Sequence, residues 1–307
     1  MLNPSDLYRF EVDGAPERRP GALFVALGGF MDAGAIQRIL ATHLLQTSDA
    51  QVVASFDVDQ VLDYRGRRPP MVFDGDHWAS YDDPAMLLHR LTDRDGTTYY
   101  ILEGPEPDYQ WERMVEAVRE VIRVLGISLV VTTHGIPMGV PHTRPVGFTA
   151  HGTDRSLLGG RESPFGRVEV PGSFAALLEL RLGEAGQQAV GFAVHVPHYL
   201  AQGHFAEGAL AALNAVAGVT GLNLPNDELV RLAGEGRAAI DEAVAGSDEV
   251  RQVVGALEEQ YDAFVEGQRR QSLLATESGS LPSADEIGAE FEQFLRSVTG
   301  EDDGPQA

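Results

Sequence analysis

Hydrophobic positions in the first 225 residues gather in short, unbroken blocks: ALFVAL (22–27), QVVASF (51–56), TTYYIL (97–102), SLVVTT (128–133), VGFTA (146–150) and AVGFAV (189–194). Most suit strands covered on both faces, as in a parallel sheet, because a half-exposed strand alternates instead. Between blocks the period becomes helical. Ile36, Ile39, Leu40 and Leu44 share one stripe of 33–46, and Met114, Val115, Val118, Val121, Ile122 and Leu125 share one of 111–125. Residues 173–182 and 205–217 are further helical stretches. This alternation of strand and helix predicts an α/β domain with right-handed crossovers.

After Pro225 the blocks stop. Asn226 is placed to cap a helix whose first turn holds Asp227 and Glu228, where the helix dipole favours acids. Val250, Val253, Val254, Leu257, Tyr261 and Phe264 mark a second helix over 248–270. QSLLATESGSLPS reads as a loop. Ser283 and Glu286 form a capping-box pattern that opens a last helix through Val298, and EDDGPQA reads as a disordered tail. The expected organisation is 1–225, an acidic helical region 226–299, and a tail 300–307.

Composition narrows the chemistry. There is no cysteine, and all 23 basic residues are arginine. Disulfides, thiolate nucleophiles, Schiff-base lysines and the lysine of a phosphate-binding P-loop are therefore excluded. The net charge of −23 repels a phosphate backbone, so nucleic acid is not an expected partner. Residues 226–307 hold 19 acids and 6 arginines, more than half of that imbalance. No segment approaches the roughly 20 apolar residues of a membrane span, and the start lacks a signal-peptide pattern. A cytoplasmic protein without membrane contact is expected.

In an open parallel sheet, ligands bind outside the carboxyl ends of the strands. Here the blocks run into GGFMDAG (28–34), Asp57, Glu103, His134-Gly135, His151-Gly152 and His195-Val196-Pro197-His198. If all six strands are parallel, Asp57, Glu103, His134, His151 and His195 line one rim. The plain alternative is that strand ends meet water and are polar for that reason alone. A metal is not expected, since Pro197 keeps His195 and His198 off a common helix face and no HExxH pattern occurs. Gly28 and Gly29 suit a tight turn, and Asp32 is read as the cap of the next helix, because a carboxylate there would repel a phosphate. Ser173 is likewise read as a cap. Arg144 in PHTRP either grips an anion or pairs with a nearby acid.

The strand followed by GGFMDAG, then DYRGRRPP (63–70), GPEPDYQW (104–111), HGIPMGVPHTRP (134–145), VPGSFAALLELRLG (170–183) and GFAVHVPHYLA (191–201), resembles the actinobacterial branch of the proteasome assembly chaperone 2 (PAC2) family. The resemblance covers roughly residues 20–225. It implies a three-layer α/β/α sandwich with a mostly parallel sheet, similar to the nucleoside phosphorylase or hydrolase class, plus a C-terminal helical region. It also implies a homo-oligomer, with a trimer as the first expectation, and proteasome subunits as partners. No catalytic residues and no cofactor come with it.

Two roles are consistent with these features. One is a non-enzymatic, chaperone-like interaction factor, whose acidic helices would dock on a basic partner. The other is a small-molecule protein, binding or hydrolytic, with a nucleoside-like ligand at the strand ends; fold analogy alone is weak support for that.

Overall fold

Alternating strands and helices build one eight-stranded sheet with helices on both faces. The computed structural model describes residues 2–11, 17–161, 163 and 165–277. Its strands are β1 (Tyr8–Phe10), β2 (Ala22–Gly28), β3 (Gln51–Phe56), β4 (Met71–Asp74), β5 (His77–Tyr81), β6 (Met86–Thr92), β7 (Thr98–Pro105), β8 (Leu129–Met138), β9 (Phe148–Gly152) and β10 (Gln188–Pro197). Its α-helices are α1 (Ile36–Thr47), α2 (Trp111–Leu125), α3 (Phe174–Glu184), α4 (Ala206–Thr220), α5 (Asp227–Ala245) and α6 (Asp248–Glu277). The sheet order is β1-β3-β6-β7-β2-β8-β10-β9, and β4 and β5 form a separate hairpin. Residues up to Val254 make one compact unit, and a second begins at Gly255.

The unbroken blocks do what their composition dictates. In β2, Phe24 faces the core shared with α1 and α4, while Val25 faces the core shared with α2 and α3. Helix α2 buries its whole predicted stripe and stops at Gly126, whose left-handed conformation lets its N–H return to the Ile122 carbonyl. Ser173 caps α3, accepting from Ala176 N–H at 3.2 Å. Gly135 has no room for a side chain: a Cβ there would lie 1.9 Å from the Ala33 carbonyl oxygen. That contact is what allows the turn before α1 to settle against β8.

Three expectations are corrected. The six blocks do not all run one way: β2, β7, β8 and β10 are mutually parallel and β3 shares their direction, but β9 runs antiparallel to β10. β9 lies at the sheet edge with Ala150 as its one buried residue, so its apolar block records neither two-face burial nor direction. The segment read as a loop from Gln271 is still helical through Glu277. Asn226 occupies the cap position of α5 but makes no side-chain cap bond. The expected helix 283–298 and the tail 300–307 lie outside the described residues.

Candidate functional site

His134 and His195 lie inside strands, not beyond them. At the ends of β8 and β10 the pattern changes from continuous to alternating: Val194 and Val196 stay fully buried toward α1 and α4, while His195 between them turns to the other face. Ala193 pairs with His134 on one side and Thr149 of β9 on the other, and Gly191 pairs with Thr132 and His151. His134, His151 and His195 therefore share the α2/α3 face of the sheet. His151 reaches it although β9 runs backwards, so it sits on the face of the sheet and not on the rim expected from six parallel strands.

The row is tied together by specific contacts. His151 and His134 rings lie 6.3 Å apart. Both Glu179 oxygens approach His151 Nδ1, at 3.0 and 2.9 Å, fixing the ring from α3. The ring lies directly over Gly191, where a Cβ would sit 2.1 Å from His151 Cε1. His195 Nε2 and Thr149 Oγ1 are 2.9 Å apart. Burial, reinforced by the neighbouring His151, pushes His134 down to about 4. Burial also holds His195 below its ordinary range. His134 and His195 are therefore neutral imidazoles at neutral pH, and the Glu179 carboxylate orients His151 beside them. Such groups can accept a proton or hold a polar ligand.

Four other predicted residues meet elsewhere. Gly28, Gly29, Asp32 and Glu103 line a cavity of about 400 Å³ beside α1, together with Arg38. Asp32 accepts from Gln37 and Arg38 N–H at 3.0 and 3.3 Å and from Gly135 N–H at 3.2 Å. It thus binds the first turn of α1 from across the turn Ala33–Ala35, while the cap position expected for it is held by Ala35, and burial raises its carboxyl despite these donors. Glu103 Oε1 lies 2.9 Å from His89 Nε2. Its side chain is on the α1/α4 side of the sheet, away from the histidine row.

Asp57 is separate again. It lines a cavity of about 590 Å³ with Asp6, Asp59 and Asp83 near the β1 edge, and β6, β7 and β2 lie between its strand and β8. His198 is exposed in a turn after β10 and packs edge-on to Tyr199. Arg144 is half-buried and donates to Thr143 Oγ1 at 3.4 Å. The ten predicted residues thus do not form one pocket. Among the described residues, no group of three or more His, Cys, Asp or Glu side chains is placed to hold a metal ion, and no helix is long and apolar enough to cross a membrane.

The PAC2 family model matches residues 26–244. The chain belongs to the PAC2 family. The matched span contains every residue of the histidine row and of the 400 Å³ cavity. A Mycobacterium tuberculosis protein of unknown function is 44% identical to this PAC2 chain, covering 87% of it and 92% of its own length, with a TM-score of 0.82. A Corynebacterium glutamicum protein of unknown function is 36% identical over 85% of this chain and 98% of its own, with a TM-score of 0.80. A Mycobacterium tuberculosis proteasome-assembly chaperone homologue shares the fold at 24% identity, covering 76% of this chain and 99% of its own, with a TM-score of 0.67. No curated protein matches the chain.

Three features of this PAC2 chain escaped the sequence reading. Glu179 was hidden in the apolar run of α3; its signal is an acid next to the buried Leu178. Glu106 is a buried carboxylate that accepts from Phe174 N–H at 2.6 Å and lies against Gly29, so it ties the β7 exit to the start of α3. His142, within the PHTRP motif, is 1% exposed. It lies 2.6 Å from Tyr199 Oη and 3.1 Å from Asp241 Oδ1, and its carbonyl accepts from Arg237. It therefore anchors α5 to the sandwich.

Proposed function

We propose that this PAC2 protein is a non-enzymatic, chaperone-like interaction factor that works in the cytoplasm as a homo-oligomer, with a trimer as the first expectation. Its partners would be proteasome subunits, in line with the assembly-chaperone description of its 24% identical mycobacterial relative. The observation that carries this reading is α5. That helix is pinned to the sandwich through His142, yet Leu229 and Ala233 alone among its 19 residues are buried. Val230 and most of its acids face outward, in the chain quarter with the largest negative excess. Four of its five acids pair with arginines, yet the helix holds five acids against two arginines, and an anchored helix with that excess on its outer side suits a basic protein face.

The test mixes the full chain with proteasome α-subunits and follows ring assembly by native gel. Faster assembly or a stable complex that weakens as salt rises supports the reading. Unchanged assembly at about tenfold excess of the chain, with no complex detected, overturns it.

A second reading draws on the histidine row. A small molecule, nucleoside-like by fold analogy, would sit against His134, His151 and His195. Thermal melting with nucleosides and phosphate tests it, since a ligand at about 100 times its dissociation constant stabilises by roughly 2.7 kcal/mol. A rise lost on His134→Ala would favour this reading; a flat screen would remove it.

A further inference from the structure

A cavity of about 350 Å³ lies between the edge strand β9 and the second half of α4. It is on the α1/α4 face of the sheet, opposite the histidine row, and it shares no residue with the cavity beside α1. Its floor is apolar. Phe192 of β10 and Phe148 of β9 sit diagonally across neighbouring strands, and their rings meet edge-to-face at 5.3 Å. Leu157, Ala215 and Val219 add apolar walls. Ligand pockets span roughly 300–1,000 Å³, so this space suits a small molecule.

Two features of the lining are not explained by the fold. Gly218 stands inside α4, where glycine weakens a helix relative to alanine. Packing does not require it: a Cβ at Gly218 would meet nothing within 4 Å, whereas one at Gly208 of the same helix would lie 2.6 Å from Ile36 and Phe205. The helix end does not require it either, because Gly221 already terminates α4 in a left-handed conformation. The missing side chain leaves open space beside the cavity. The second feature is Arg161. A short 3-10 turn, Arg155–Leu158, follows β9, and Gly159 and Gly160 then take left-handed φ values of 60° and 74°. They turn the chain so that the Arg161 guanidinium stands 5.1 Å from the centre of the Phe148 ring. Its Nη1 donates to the Leu158 carbonyl at 3.5 Å. The chain carries 46 acids against 23 basic residues, yet no acid among the described residues pairs with Arg161.

We propose that this cavity binds a small monocarboxylate with an apolar body, its tail against Phe148 and Phe192 and its carboxylate on Arg161. The apolar floor rejects sugars and inorganic anions, whose polar atoms would be left without partners there. The guanidinium selects an anion, and its fork matches a carboxylate through two parallel N–H groups. Asn214 and Ser156 line the same space and add neutral donors. A phosphate ester is disfavoured, because Arg161 is the one cation in the lining and the chain's net charge is −23. The site shares no residue with α5 or the histidine row, so it goes beyond both roles above.

Calorimetric titration of the full chain with hexanoate and with phenylacetate, each to about 10 mM, tests it. Saturable binding is expected, and the tighter of the two acids tells an aliphatic tail from an aromatic one. The matching alcohols, hexanol and phenylethanol, should bind at least about tenfold more weakly. Arg161→Gln should weaken binding of the acids by a similar factor. Gly218→Met should fill the space and abolish binding without lowering Tm, since its side chain enters open space and methionine favours a helix. A wild type that binds neither acid overturns the proposal. Binding unchanged in Gly218→Met also overturns it, by placing the ligand elsewhere. Alcohols that bind as tightly as the acids, or acids indifferent to Arg161→Gln, overturn the carboxylate assignment. Both substitutions fall at exposed positions, and each remains informative if the other variant fails to fold.

Discussion

Lowering the pH from about 7.5 to about 5 should destabilise the chain through His134. Its imidazole sits among β8, β9 and β10 with His151 beside it, and burial is the larger cause of its depression to about 4. The sign comes from comparing the two states. Above about pH 6.5 the ring is neutral whether the chain is folded or not, and it contributes no pH dependence. Below that, the unfolded chain takes up a proton that the folded chain refuses, so stability falls until the pH reaches the folded value. At pH 5 the loss is about 2 kcal/mol, or roughly 4–8 °C in Tm for a unit of this size.

Other groups also titrate in this window, so the informative quantity is a difference. Urea unfolding of the wild type and of His134→Gln, each at about pH 7.5 and pH 5, should show a smaller pH loss in the variant by about 2 kcal/mol. Gln keeps a polar side chain but cannot charge. If both proteins lose the same stability to within about 0.5 kcal/mol, His134 is not held neutral by its surroundings, and the electrostatic picture of the row is wrong.

Other substitutions probe the supports of the row and of α5. Gly135→Ala would press a methyl group into the Ala33 carbonyl and should cost about 3 kcal/mol or more, seen as a fall in Tm of at least about 6 °C; an unchanged Tm would mean the turn before α1 yields freely. Gly191→Ala should drive the His151 ring off the sheet and away from Glu179, moving the His151 side-chain NMR signals while costing about 1–3 kcal/mol; unmoved signals would contradict the packing. Asp241→Ala removes the acceptor shared by His142 and Arg237. It should speed amide exchange along α5 by roughly tenfold without changing exchange in β8, and uniform exchange would show that α5 is held by other contacts.

Much of the fold was legible because burial writes itself into composition. The stripe of α2 and the blocks of β2, β8 and β10 could have few other meanings. The illegible parts depended on neighbours. The direction of β9, the short β1, and β6 with His89 and Arg90 interrupting its apolar residues are set by pairing, which one strand alone does not record. The candidate site suffered from the same gap. A histidine that ends an apolar block reads equally well as the first residue of a loop or as the first outward position of a strand that has begun to alternate. For His195 the next residue decides: Val196 is as buried as Val194, so the strand continues, and its odd positions have simply exchanged core for polar side chains. The same reasoning applies to His134, whose successor Gly135 lies against the Ala33 carbonyl. Two parallel strands change at matched positions, Ala193 beside His134 and His195 beside Ile136, and β9 adds Thr149 and His151 from the opposite direction. The polar patch is therefore a property of three strands in register. A sequence shows each strand's share of it but not their alignment, which is why the histidines could be singled out while Glu179, the acid that orients one of them, could not.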